Sequence, residues 1–217
     1  MMEVKICGIT NLDDARAACD CGADALGFVF FKGSPRFVSP VKAGEIITRL
    51  PARVCRVGVF VNEEAAAVHE IHETCGLDII QIHGDESFEY CRGFSSHRLI
   101  RAIRSGASGI VGEFVDWHPR AFLVDSGNHV QFGGTGNPAD WEFAKELARR
   151  YPVVLAGGLN PQNVGEAIRA VSPAAVDVGS GVESAPGKKD HGKMREFIAT
   201  ARAVATDVSC RGVFKFL

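Results

Sequence analysis

Cys7 lies in the short apolar run Val4–Ile9, beside Gly8, and Asp125 closes another, Ala121-Phe122-Leu123-Val124. Two readings compete for the cysteine. Most isolated cysteines are buried small hydrophobes, but a thiol beside a glycine at the end of a strand has the access that thiolate chemistry needs. The aspartate could likewise cap a loop, or act as a general acid if burial or nearby anions raise its pKa. Arg36 stands in Ser34-Pro35-Arg36-Phe37-Val38-Ser39-Pro40. A loop arginine is usually a solvated charge, yet two prolines and an aromatic residue would hold this guanidinium fork ready for a carboxylate. The glycines cluster late, in Gly133-Gly134-Thr135-Gly136, Gly157-Gly158-Leu159-Asn160-Pro161 and Gly179-Ser180-Gly181. They can serve tight turns alone, but two such loops between a strand and a helix also offer backbone N–H groups to a phosphate dianion. His83, in Gln81-Ile82-His83-Gly84-Asp85-Glu86, reads by itself as a structural histidine, and Arg101 as a possible anion clamp.

For these residues to meet, the chain must bring several strand ends to one place. Eight short apolar runs recur at about 25-residue intervals: Val4–Ile9, Ala25–Phe30, Arg56–Val61, Ile79–His83, Arg98–Ile103, Ala121–Asp125, Val153–Ala156 and Val176–Gly179. They are near-continuously apolar, as strands covered on both faces are. Between them lie amphipathic segments, among them Asp13–Cys21, Ala43–Leu50, Glu64–Thr74, Trp141–Arg150 and Asn163–Val171. Ser39-Pro40 and Asn160-Pro161 each put a capping side chain before a proline at the first helical position, and Thr10 with Asp13 resembles a capping box. A doubly wound sheet would usually carry a G-x-G-x-x-G turn after its first strand, and Lys5-Ile6-Cys7-Gly8-Ile9-Thr10 has none. The late glycines instead fit the loops after strands seven and eight of a barrel. The expectation is a single-domain α/β protein, a (β/α)8 TIM barrel over residues 1–208, with a tail at 209–217 of unknown placement.

Composition narrows the partners. A formal charge of −2 over 217 residues gives no reason to expect nucleic acid. No apolar stretch reaches the roughly 18 residues of a membrane span, and Met1-Met2-Glu3-Val4-Lys5 does not open a signal peptide. The seven cysteines are odd in number and lack C-x-x-C pairs, so reduced thiols, no metal site and a cytoplasmic location are expected. His69 and His72 read as surface helix residues without a third ligand.

Taken in order, these segments resemble the phosphoribosylanthranilate isomerase family nearly from end to end. Lys5-Ile6-Cys7-Gly8-Ile9-Thr10 is similar to its opening motif, and Ala25-Leu26-Gly27-Phe28-Val29-Phe30 with Ser34-Pro35-Arg36 to its second strand and loop. Val57–Asn62 and Gln81–Glu86 match strands three and four, and Phe122-Leu123-Val124-Asp125-Ser126 the sixth. Ala156–Pro161 and Val176–Glu183, then Pro186-Gly187-Lys188-Lys189-Asp190, match its phosphate loops. The resemblance implies an Amadori rearrangement of N-(5-phosphoribosyl)anthranilate in tryptophan biosynthesis, without a cofactor. Cys7 would be the general base and Asp125 the general acid, with a lowered pKa at the thiol and a raised one at the carboxyl. Arg36 would hold the anthranilate carboxylate, with His83, Gly157, Gly158, Gly179, Ser180 and Gly181 also binding substrate. The phosphorylated aminosugar would be the partner of a monomer or homodimer. Two features depart from the family: Asn137-Pro138-Ala139 replaces the lysine-containing stretch of the sixth loop, and Gly179 stands where serine is common. An isomerase of the histidine-pathway aminosugar would bind two phosphates and use paired aspartates, and a barrel that only senses a sugar phosphate would need neither Cys7 nor Asp125.

Overall fold

The computed structural model describes residues 1–104, 112, 114, 117–125, 141–204 and 212–215. Eight parallel strands close into one barrel in sequential order. They are β1 (Glu3–Cys7), β2 (Ala25–Val29), β3 (Cys55–Phe60), β4 (Ile79–Ile82), β5 (Leu99–Arg104), β6 (Ala121–Asp125), β7 (Val153–Leu155) and β8 (Ala175–Val178). Each falls within a residue or two of an apolar run. The Gly133–Gly136 loop and the Asn137–Ala139 departure lie outside the described residues.

Because side chains alternate along a strand, each strand supplies two cores. Ala25, Val57, Ile79, Ile100, Leu123 and Val154 point inward, while Ile6, Leu26, Phe122, Leu155 and Val176 pack outward under the helices. Those helices include α1 (Leu12–Asp20), α2 (Pro40–Ile47), α3 (Ala65–Cys75), α4 (Phe88–Cys91), α5 (Trp141–Ala148), α6 (Val164–Val171) and α7 (His191–Ala203). A two-stranded ribbon, β9 (Glu183–Ala185) and β10 (Lys188–Lys189), precedes α7.

Ser39 caps α2 with Pro40 at its first position, as the sequence predicts. Two other caps differ. Asn11, not Thr10, caps α1, because the Thr10 hydroxyl donates to the Gly187 carbonyl across the loop. Asn160 accepts from the N–H groups of Gln162 and Asn163, closing a turn that delays α6 to Val164.

Part of the tail has a definite place. Val213 and Phe214 are buried in the inward-facing core, and both backbone N–H groups donate to the Glu3 carboxylate at the start of β1, at 2.6 and 3.0 Å. Arg120 donates to the carbonyls of Val213 and Lys215. These residues close the N-terminal end of the barrel.

Candidate active site

At the other end, where the strands finish, a cavity opens. Cys7, Arg36, His83, Asp125, Gly157, Gly158, Gly179 and Ser180 all line it. Among the described residues, every strand but β5 contributes an inward-facing residue near its end or the loop just beyond it, which is why positions scattered from 7 to 180 converge. Gly181 is not on that wall. A Cβ there would stand 1.9 Å from the Leu159 carbonyl oxygen, so this glycine lets the seventh and eighth loops touch. Gly157 and Gly158 both hold left-handed backbone, at φ +78° and +67°, so the turn itself requires them.

Arg36 is already held. Its Nε and Nη2 donate to the Glu183 carboxylate at 2.8 and 2.7 Å, which occupies one edge of the fork and leaves Nη1 outside that pairing. Glu183 also accepts from Lys189 Nζ at 2.9 Å, and that ammonium donates to the carbonyls of Cys7 and Gly179. Burial opposes the charge on Glu183, but the Arg36 hydrogen bonds and the Lys189 ammonium hold its carboxyl below the usual range. The ammonium of Lys189 is pulled down by burial, against the attraction of Glu183.

His83 faces the carboxyl group. Its Nδ1 lies 2.8 Å from Gln81 Nε2, so the amide donates to it and the ring proton sits on Nε2, 3.3 Å from Asp125 Oδ2. Asp125 is buried, and its Oδ1 has no hydrogen-bond partner among the described residues. One carboxyl oxygen is thus oriented by the imidazole.

Burial pushes the Cys7 thiol above its ordinary range, contrary to the lowered pKa expected from the sequence. Lys5 and Lys189 pull in the opposite direction. Arg101 also departs from expectation. Its neighbours Ile100 and Ala102 point inward, and its own guanidinium turns outward to bind Glu86 Oε2 at 3.0 Å and the carbonyls of Ile82, Gly84 and Glu86. It braces the fourth loop and is no anion clamp in the cavity. Sequence reasoning missed Gln81, Asp177 and Lys5. The signal was present, since Lys5 precedes Cys7 by two residues and Gln81 precedes His83 by two, which puts each pair on one side of its strand.

Fold and site together define a (β/α)8-barrel enzyme with a thiol, a carboxyl group and an arginine around one mouth. The comparisons with known proteins agree. The family model of N-(5'phosphoribosyl)anthranilate (PRA) isomerase matches residues 4–200. An N-(5'-phosphoribosyl)anthranilate isomerase of Syntrophus aciditrophicus is 51% identical, over 93% of this chain and 88% of that protein. The crystal structure of phosphoribosyl anthranilate isomerase from Thermotoga maritima superposes with a TM-score of 0.84 at 41% identity, covering 93% of this chain and 99% of that one. A phosphoribosyl anthranilate isomerase in complex with reduced 1-(o-carboxyphenylamino)-1-deoxyribulose 5-phosphate superposes with a TM-score of 0.81, also at 41% identity and with the same coverage. The chain belongs to the N-(5'-phosphoribosyl)anthranilate isomerase family.

Proposed function

We propose that this barrel mouth performs the family's isomerisation with Asp125 as general acid and Cys7 as general base. The activity itself, conversion of N-(5'-phosphoribosyl)anthranilate in tryptophan biosynthesis, follows from the family. The observation that carries the roles is the lining of a single cavity by Cys7, Asp125, Arg36 and two glycine loops.

The chemistry needs a proton given and a proton taken. Asp125 donates to the ribose ring oxygen, the C1′–O bond breaks, and the anthranilate nitrogen takes up the charge as an iminium. Cys7 then removes the C2′ proton, the electron pair moves into the iminium to give an enolamine, and tautomerisation leaves the ketone. Nothing is oxidised overall, and the substrate's own nitrogen is the electron sink. After its donation, Asp125 is an anion facing the His83 Nε2–H, which stabilises it in a site poor in water. Positioned acids and bases typically supply about 10²–10⁴-fold in rate each.

Binding is divided between the two ends of the substrate. The Nη1 end of Arg36 suits the anthranilate carboxylate, and the loops at Gly157, Gly158, Gly179 and Ser180 suit the phosphate. That puts the anions on either side of the thiol and carboxyl group, where remote binding energy can orient the sugar between them. His83 acts in this reading chiefly through Asp125. The protein is expected in the cytoplasm, as a monomer or homodimer. No helix among the described residues is long and apolar enough to cross a membrane.

The test is turnover by the purified chain. Loss of substrate anthranilate fluorescence, with growth of a tryptophan auxotroph lacking this isomerase, is the expected result. A folded protein that binds a product analogue without turning over substrate would refute the enzymatic reading.

A further inference from the structure

A thiol is a useful base only where something stabilises its anion, and burial alone works against that at Cys7. The interior of the barrel holds a lysine that the reaction does not otherwise use. Lys5 and Cys7 are two residues apart on β1, so both side chains enter the barrel. Lys5 is fully buried, and its Nζ lies 3.0 Å from Oδ1 of Asp177, its register partner on β8. The contact is an ion pair between two buried groups inside the barrel. Burial opposes its charge, yet Asp177 and Cys7 together hold the ammonium above its ordinary pKa.

Space for this arrangement comes from Gly27, the register partner of Cys7 on β2. A Cβ at that position would stand 2.8 Å from Cys7 Sγ and 3.1 Å from Lys5 Cε. The absent side chain leaves a slot in which sulfur and lysine stem lie together.

The charges around the sulfur also lean one way. Lys5 from β1, Lys189 from β10 and Arg36 from the second loop are cations, while Asp177 from β8 and Glu183 from β9 are carboxylates. In the proposed acid form Asp125 adds no charge, and neither does the neutral imidazole of His83 that faces it across the cavity. Three cations face two carboxylates, and a thiolate at Cys7 balances them.

We propose that Lys5 is the built-in counter-ion of the Cys7 thiolate, with Asp177 setting how much of its charge the sulfur feels. Lys5 is a positioning residue: it touches no reacting atom and acts through the sulfur. The assignment rests on the reading of Cys7 as the base, but its test does not depend on turnover. The rate at which iodoacetamide alkylates Cys7, followed against pH by mass spectrometry of the Cys7 peptide, reports the thiolate directly. In Lys5→Met the inflection moves to higher pH and alkylation at pH 8 slows about tenfold or more. In Asp177→Asn the lysine charge falls wholly on the sulfur, and the inflection moves to lower pH. A merely structural role would not give opposite displacements. An inflection unmoved in both variants, or moved the same way, overturns the proposal. If Lys5→Met fails to fold, Asp177→Asn decides alone, and an inflection that does not fall is the overturning result. Should Cys7→Ala keep wild-type kcat while the opposite displacements appear, the counter-ion assignment stands and the base assignment falls.

Discussion

Replacing Phe214 by alanine tests how the barrel is closed at the end away from the active site. Phe214 is 3% exposed and Val213 1%, and they fill the inward-facing core together with Ala25, Cys55, Ile79 and Ile100. Their backbone N–H groups are also the hydrogen-bond donors to a Glu3 carboxylate that is itself buried. Truncating a buried phenylalanine costs about 3–5 kcal/mol in transfer and cavity terms. Against a typical total of about 5–15 kcal/mol, that is a large fraction. For a domain of this size it corresponds to a drop in Tm of roughly 6–20 °C. Urea unfolding followed by circular dichroism, with kcat/KM measured in parallel at 25 °C, separates stability from function. The expected outcome is a lower midpoint with kcat/KM within about twofold of wild type, because the strand ends that carry the site are untouched. A loss of stability below about 0.5 kcal/mol, the scale of an ordinary surface substitution, would refute the plug.

Other outcomes follow from the mouth. Arg36→Lys keeps the charge but loses the fork on which Glu183 and the substrate both depend. It is expected to lower kcat/KM by roughly ten- to a hundredfold, the cost of a charged hydrogen bond, and wild-type kinetics would remove Arg36 from the site. Gly181→Ala drives a methyl group into the Leu159 carbonyl and separates the two glycine loops. KM and the inhibition constant of inorganic phosphate should then rise together, and a folded variant with both unchanged would contradict the phosphate assignment. Glu183 has a folded pKa below its ordinary value, so its contribution to stability is complete above the unfolded carboxyl range and is lost as pH falls through the lower folded value. Glu183→Gln should therefore be less stable than wild type at pH 7, with the gap narrowing below about pH 4; a gap independent of pH would count against the network.

How far the sequence could be read depended on whether a feature was local. The strands were legible because each is a continuous apolar run, and the barrel because eight such runs alternate with helices and the glycines come late. Cys7, Arg36, His83 and Asp125 could be named because a strand end in a barrel is a place in space as well as in sequence. Arg101 was misplaced because it was read as a strand-end residue without its alternation, which turns it outward between Ile100 and Ala102. The cap of α1 slipped by one residue because Thr10 and Asn11 are both capable caps, and only the distant Gly187 carbonyl decides between them. Lys5 and Asp177 carry no local signal of their role, since their value lies in a pairing between the first and last strands. The tail gave no periodic signal because the hole that Val213 and Phe214 fill exists only after the barrel has closed.

In the proposed mechanism Cys7 and Asp125 are one acid–base pair acting on a substrate held by Arg36 and the glycine loops. The most direct measurement is single-turnover kinetics of Cys7→Ala and Asp125→Asn beside the affinity of each folded variant for a reduced product analogue. Both variants should bind the analogue close to wild type while the chemical step slows by about 10² or more in each. A Cys7→Ala enzyme whose chemical step ran at the wild-type rate would contradict that mechanism, and the base would have to be sought elsewhere on the cavity wall.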